Sequence, residues 1–189
     1  PPGFLDRSVV TFTSLAERMS PAETLELLNT VQGAFAESVR AHGGTVDKFL
    51  GDGLLAVFGT PEPLEDHASC AIAAARAMLE GLARINRSRA ASGLAPLGVG
   101  IGLQSGQVIS GCLGSGARLE FTVLGDTVNT ASRLQSMTKE TGRQVLIGAE
   151  TVALLKRRDQ GMPDDELLSL GAMPIRGREE TIEVFTLRM

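Results

Sequence analysis

The sequence contains five polar residues of types that could act on a charged phosphate ester: Lys48, Asp52, Asn129, Arg133 and Arg176. Lys48 and Asp52 stand on either side of Gly51, and this pair could hold a polyanion and a divalent metal. Asn129 and Arg133 have the i, i+4 spacing that stacks two side chains on one face of a helix. A carboxylate for Mg²⁺ and arginines for phosphate oxygens are what phosphoryl or nucleotidyl transfer needs.

Each of these residues also has an ordinary structural explanation. Asp-Gly is common turn chemistry, and Lys48 suits a solvated strand. Asn129 with Arg133 suits a solvated helix face, and Arg176 in a glycine turn suits the protein surface. The chain contains no G-x-x-x-x-G-K-[ST] motif, so a P-loop does not hold the phosphates. Taken one at a time, these residues leave both interpretations open.

The element that positions Lys48 and Asp52 is residues 45–59, TVDKFLGDGLLAVFG. Two short apolar runs flank Gly51-Asp52-Gly53, which predicts a β-hairpin with a tight turn. Because strand side chains alternate between faces, Lys48 and Asp52 should lie near the hairpin tip, within reach of a ligand. Before the hairpin, a capping pattern at 20–23 and a stripe of apolar residues predict a helix over 21–42.

The remaining pattern predicts further helices and strands. Strands are expected over 9–12, 99–103, 106–111, 119–124, 144–147, 167–170 and 181–187, and helices over 65–89, from 126 onward and over 149–157. Long helices alternate with hairpin-linked strands, which favours an α/β (α+β) fold with a ferredoxin-like βαββαβ core and a mixed or antiparallel sheet. Without repeats or low-complexity linkers, one domain over residues 1–189 is the economical interpretation.

Composition restricts the class of protein. The net charge of −4, with no Lys/Arg block longer than a few residues, argues against nucleic acid as a partner. No apolar run has membrane length and the start does not resemble a signal peptide. Cys70 and Cys112 lie in small or apolar surroundings, which predicts buried free thiols in a reducing compartment. The abrupt start at Pro1-Pro2-Gly3 suggests a fragment of a longer protein.

Five runs, taken in order, resemble the class III nucleotidyl cyclase catalytic domain: FTSLAERMSP, GGTVDKFLGDGLLAVFG, VGIGLQSGQVISGCLG, FTVLGDTVNTASRLQ and IRGREETIEVFTL. The resemblance covers nearly the whole chain. It implies a ferredoxin-like core and a head-to-tail homodimer with sites at the dimer interface. It also implies conversion of a nucleoside triphosphate to a 3′,5′-cyclic nucleotide and pyrophosphate, with two Mg²⁺ or Mn²⁺ ions as cofactors at each site.

The same resemblance implies a role for each matching residue. Asp52 matches a metal ligand, Lys48 and Thr122 match the positions that recognise the base, Asn129 matches a ribose contact, and Arg133 and Arg176 match phosphate contacts. Lysine in the family accompanies adenine, and the chemistry agrees because lysine only donates hydrogen bonds and suits adenine N1. Threonine resembles the bacterial, bicarbonate-responsive branch, and its hydroxyl can accept from the adenine 6-amino group. ATP is therefore the expected substrate, with bicarbonate activation, a regulatory domain in cis and a cytoplasmic location as further expectations.

One family motif is only partly matched. The first metal aspartate of the family lies in a pattern like F-x-D-I-x-G-F-T, whose end matches Phe12-Thr13, but Ser8 stands where the aspartate is expected. Either Asp6 is the ligand, on a slightly longer loop, or the strand half bearing the aspartate is missing from the sequence. The second explanation fits the flanking sequence better, because a strand needs more residues than PPGFL before the ligand. Asp6 is the candidate in the sequence as it stands.

We therefore predict an adenylyl cyclase. A guanylyl or relaxed-specificity cyclase is one alternative, although Lys48 argues against it. A degenerate cyclase domain that binds a nucleotide or a partner without catalysis is the other, and the incomplete metal motif is its support.

Overall fold

The computed structural model describes residues 5–15, 21–115, 118–157, 166–175 and 181–188, with side chains placed over 24–112, 122–155, 166–175 and 181–188. In chain order the elements are β1 (Leu5–Leu15), α1 (Pro21–Ala41), β2 (Gly44–Leu50), β3 (Gly53–Phe58), α2 (His67–Ala91), β4 (Gly98–Ser115), β5 (Arg118–Leu124), α3 (Asp126–Thr141), β6 (Val145–Gly148), α4 (Ala149–Arg157), β7 (Leu167–Pro174) and β8 (Thr181–Leu187).

The sheet order is β2-β3-β1-β4-β6-β8-β7, and β5 pairs with the second half of β4. β1 lies between β3 and β4 and is antiparallel to both, and β2 and β3 form an antiparallel hairpin. With α1 and α2 as the connections, these four strands make a βαββαβ unit, which confirms the predicted ferredoxin-like core. β6 pairs in parallel with β4, so the complete sheet is mixed.

Helices cover both faces of the sheet. Leu54, Ala56 and Phe58 of β3 belong to one buried cluster, together with apolar residues of α1, α2 and α4. Leu55 and Val57 point to the other face and belong to a second cluster that includes residues of β4, β5 and α3. This alternation follows from the two-residue period of a strand, and it explains why every residue of β3 is buried.

Glycines on β4 let α3 lie directly on the sheet. A Cβ atom at Gly102 would overlap the carbonyl oxygen of Ala131 and the amide nitrogen of Gln135, both in the backbone of α3. At Gly100 the overlap would be with the side chain of Thr138. The position of α3 therefore depends on the missing side chains at these two sites.

Two expectations about β4 are wrong. The strands predicted over 99–103 and 106–111 form one continuous strand, because β1 pairs with β4 without interruption through Gly106 and β5 continues the pairing from Ile109. Cys112, expected to be buried, is exposed, since this half of β4 pairs with β5 and extends beyond the main sheet. Cys70 is half-buried. Among the helices of the described residues, none combines the length and the apolar character needed to cross a membrane.

Candidate functional site

The β2–β3 hairpin has the predicted tight turn, which contains two residues, and α1 holds it in place. Leu50 pairs with Gly53 and closes the turn, and Gly51 has a φ of 62°, a conformation that glycine adopts without strain. From α1, Gln32 Nε2 donates to the carbonyl oxygens of Gly51 at 2.8 Å and Gly53 at 3.4 Å. Asp52 is thus half-buried at a turn that is tied to a helix.

A β-bulge precedes Lys48 and changes the direction of two side chains. Val46 pairs with Ala56 and Lys48 with Leu55, so Asp47 is an extra residue without a pairing position on β3. In a regular strand, neighbouring side chains point to opposite faces. Here Asp47 Oδ2 lies 3.6 Å from Lys48 Nζ, because a bulge redirects the side chains next to it.

Asp47, Lys48 and Thr122 form one hydrogen-bonded cluster. Lys48 Nζ donates to Thr122 Oγ1 at 2.8 Å, and Thr122 Oγ1 donates to Asp47 Oδ2 at 3.4 Å. The Asp47 side chain is 2% exposed, whereas that of Lys48 is 27% exposed, so the carboxylate lies beneath the ammonium group. The structure thus brings together the two residues predicted to recognise the base, although they lie far apart in the sequence.

Asp47 is the member of this cluster that the sequence analysis missed. An acidic residue next to a predicted ligand-binding lysine was a visible signal. Regular strand alternation, however, places residue 47 on the face opposite residue 48. Only the bulge brings the two side chains together.

Asn129 and Arg133 lie in the N-terminal half of α3, where Asn129 is exposed and Arg133 is half-buried. The first turn of α3 is attached to β4, because Thr127 Oγ1 donates to the carbonyl oxygen of Gln107 at 2.8 Å. The i, i+4 spacing keeps Asn129 and Arg133 on one face, as predicted from the sequence. Their contacts with ribose and phosphate remain predictions. Arg176 lies outside the described residues.

The strand pairing separates Asp6 from Asp52. Asp6 pairs with Gln107 of β4, whereas Thr13, at the other end of β1, pairs with Gly53 beside Asp52. The separation between Asp6 and Thr13 along the strand is about 23 Å, at roughly 3.3 Å per residue. This register places the backbone of Asp6 seven residues along β1 from the position that pairs beside Asp52, and Asp6 is the only acidic residue among residues 5–15.

The carboxylate of Asp52 is a group that suits a divalent ion. Mg²⁺ is commonly bound by one or two carboxylates together with substrate phosphates and water, and Asp52 can supply one carboxylate. In the part of the chain that the structure describes, no group of three or more His, Cys, Asp or Glu residues could hold a metal ion.

Comparison with known proteins identifies relatives along nearly the whole chain. Residues 4–188 match the family model described as the adenylate and guanylate cyclase catalytic domain. The chain is 34% identical over 177 residues to adenylate cyclase 1 of Rhizobium meliloti (strain 1021), covering 94% of the chain and 26% of that relative. It is 31% identical over 183 residues to adenylate cyclase of Anabaena cylindrica, covering 94% and 34%. The chain thus spans about a quarter to a third of the length of these curated relatives.

Solved structures agree with this assignment. The crystal structure of the guanylyl cyclase Cya2 superposes with a TM-score of 0.84 at 30% sequence identity, covering 98% of this chain and 93% of that one. The similar proteins therefore include both adenylyl and guanylyl cyclases.

Proposed function

Because the chain belongs to the adenylate and guanylate cyclase catalytic domain family, we propose that it is an adenylyl cyclase domain that converts ATP to 3′,5′-cyclic AMP and pyrophosphate. The observation that carries the choice of ATP is the hydrogen bond of 2.8 Å from Lys48 Nζ to Thr122 Oγ1. It supports a single base-binding site formed by β2 and β5.

The chemistry of these two side chains favours adenine over guanine. The Lys48 ammonium group is only a donor and suits adenine N1, which is an acceptor. Thr122 Oγ1 can accept from the adenine 6-amino group. Guanine has a donor at N1, so the Lys48 ammonium group would face another donor there.

In the proposed reaction the ribose 3′-hydroxyl group loses its proton to water and its oxygen forms a bond to the α-phosphorus. The bond from that phosphorus to the bridging oxygen of the β-phosphate breaks, and pyrophosphate leaves. Asn129 would orient the ribose, and Arg133 and Arg176 would offset charge on the phosphate oxygens. Asp52 would hold a divalent ion together with the triphosphate. When bound, such an ion lowers the pKa of the attacking hydroxyl group and neutralises phosphate charge.

A head-to-tail homodimer is part of the proposal. Large apolar side chains are exposed at the hairpin tip, where Phe49 and Leu50 are each 53% exposed, and on the β4–β5 ribbon, at Ile109 and Leu124. Exposed apolar groups of this size commonly mark a protein interface. The proposed dimer would cover these residues and join Asp52 of one chain with Arg133 of the partner subunit in each site. Sedimentation velocity with and without ATP measures the association.

The direct experiment compares products from ATP and GTP, with Mg²⁺ or Mn²⁺, for the wild type and Lys48→Glu. A carboxylate at position 48 would face adenine N1 with an acceptor, so we expect kcat/KM for ATP to fall by about 10²-fold or more relative to GTP. The matched control is Lys139→Glu, which reverses the charge of an exposed lysine at the C-terminal end of α3. Unchanged ATP turnover in Lys48→Glu would contradict the base-recognition role.

A second candidate function is a domain that binds nucleotide without turning it over. The register of β1 favours it, since the backbone of Asp6 pairs with Gln107 and not beside the turn that bears Asp52. Metal-dependent cyclic nucleotide formation by the purified chain would exclude this candidate.

Regulation and location are also proposals. We propose bicarbonate activation on the ground of Thr122, together with a regulatory domain in cis and a cytoplasmic location. Cyclic AMP formation with and without sodium bicarbonate, at constant pH and ionic strength, tests the first of these.

A further inference from the structure

We propose that Asp47 is a positioning residue for base selection. Its carboxylate accepts a hydrogen bond from the Thr122 hydroxyl group and holds the Lys48 ammonium group, and it thereby makes this pair selective for adenine. The inference deepens the proposed function and rests on the base-binding site described above. Asp47 has no role in the catalytic arrangement of Asp52, Asn129 and Arg133.

The backbone supports this role for Asp47. The residue occupies the extra position of the bulge in β2, between the pairs Val46–Ala56 and Lys48–Leu55. Without the bulge, its carboxylate would lie on the face opposite Lys48. A bulge costs a ladder hydrogen bond and is commonly found where a strand redirects a functional side chain. Here it directs a carboxylate to the base-binding pair.

The hydrogen bonds of Thr122 explain how the carboxylate acts. A hydroxyl group has one proton and two acceptor lone pairs. Thr122 Oγ1 accepts from Lys48 Nζ at 2.8 Å and donates to Asp47 Oδ2 at 3.4 Å. This assignment uses the proton and one lone pair of the hydroxyl group. The remaining lone pair can accept from a ligand, and the hydroxyl group cannot donate to that ligand.

The direction of the hydrogen bond from Thr122 to Asp47 distinguishes adenine from guanine. The adenine 6-amino group is a donor and matches the remaining lone pair of Thr122 Oγ1. Guanine O6 is an acceptor and would face that lone pair without a proton between them, which leaves a polar group unsatisfied at the site. If Asp47 were absent, the Thr122 hydroxyl could rotate and donate to guanine O6.

The burial of Asp47 stabilises the hydrogen bond in which Thr122 is the donor. Its side chain is 2% exposed, so water cannot readily replace Thr122 and Lys48 as its partners. A buried carboxylate is held in place by its cation and its hydrogen-bond donors. Asp47 also keeps the partly exposed Lys48 ammonium group within 3.6 Å, which limits the rotamers of that side chain.

The test measures equilibrium binding of 3′-deoxyATP and 3′-deoxyGTP by calorimetry in Mg²⁺, together with kcat and KM for ATP and GTP. The 3′-deoxy nucleotides lack the attacking hydroxyl group, so binding is read without turnover. Asp47→Ala removes the acceptor, Asp47→Leu removes it while filling the space, and Asp47→Asn retains an acceptor oxygen. Glu37→Ala removes an exposed carboxylate from α1 and is the matched control.

We expect the ATP-to-GTP affinity ratio to fall about tenfold at most in the Ala and Leu variants, the upper range of the effect of one ordinary hydrogen bond. The loss should appear in KM for ATP rather than in kcat. Asp47→Asn and Glu37→Ala should retain the ratio within about threefold.

Three results would overturn the inference. One is an unchanged ratio in the Ala and Leu variants, and another is an equal loss of kcat for both nucleotides. The third is that both variants fail to fold while Asp47→Asn folds, since this would assign Asp47 to stability. Wild-type protein that selects 3′-deoxyATP yet forms no cyclic AMP would refute the proposed catalysis and leave the role of Asp47 intact.

Discussion

Gly102→Ala tests whether the close contact between α3 and the sheet sets both stability and activity. The new Cβ atom would overlap the Ala131 carbonyl oxygen and the Gln135 amide nitrogen, and it would lie 3.0 Å from Gln135 Cα. These are backbone atoms, so no side-chain rotation relieves the overlap. To restore ordinary contact, α3 must move away from β4 by about 1 Å, and overpacking of this kind costs about 1–3 kcal/mol.

The free energy of unfolding that overpacking removes is expected to exceed the free energy that alanine adds in a strand. Alanine in a strand is otherwise better than glycine by about 0.5–1 kcal/mol. Gly98→Ala is the matched control, since Gly98 lies on the same strand and a Cβ atom there meets nothing within 4 Å. We therefore expect Gly98→Ala to be neutral or slightly stabilising, and the Tm of Gly102→Ala to lie about 2–12 °C below that of Gly98→Ala.

The same displacement should reduce turnover, because Asn129 and Arg133 belong to the turns of α3 that meet Gly102. A shift of about 1 Å in a residue that positions substrate can cost about 10²-fold in rate. Thermal unfolding by circular dichroism and kcat for cyclic AMP formation measure the two effects. The reasoning fails if Gly102→Ala and Gly98→Ala have the same Tm and the same kcat.

Two further predictions concern stability and thiol chemistry. Asn86 Nδ2 donates to the Leu97 carbonyl oxygen at 2.9 Å and its Oδ1 accepts from the Leu97 amide at 2.7 Å, so Asn86→Ala should lower the urea-unfolding free energy by about 1–3 kcal/mol. Asn86→Asp places a second acceptor oxygen against the Leu97 carbonyl oxygen and should lose at least as much, and an unchanged free energy in Asn86→Ala would contradict this explanation. Burial, together with the negative charge of Asp66, raises the pKa of the Cys70 thiol. Since the thiolate is the reactive form, iodoacetamide at about pH 8 should alkylate the exposed Cys112 before Cys70. Mass spectrometry measures the two alkylation rates, and similar rates would argue against this explanation.

Local signals in the sequence determined much of the fold. The glycine-rich turn at Gly51 and the apolar runs beside it predicted the hairpin that bears Asp52, and the structure has the strands and turn in those positions. The predicted helix over 149–157 agrees with the observed Ala149–Arg157. The alternation of helices and strands was sufficient for the ferredoxin-like core. These features depend on backbone preferences and on periodicity within a few residues, which a sequence displays directly.

Only the tertiary structure decided how distant strands meet. The register of β1 separates Asp6 from Asp52, and the bulge in β2 brings Asp47 to Lys48 and Thr122. The pairing partners of β4 likewise join two predicted strands into one. A one-residue change in register reverses the face of every side chain, and register depends on packing between segments that are far apart in the chain. For that physical reason the sequence predicted Lys48 and Thr122 as candidate base contacts, whereas only the structure brought the carboxylate of Asp47 to them.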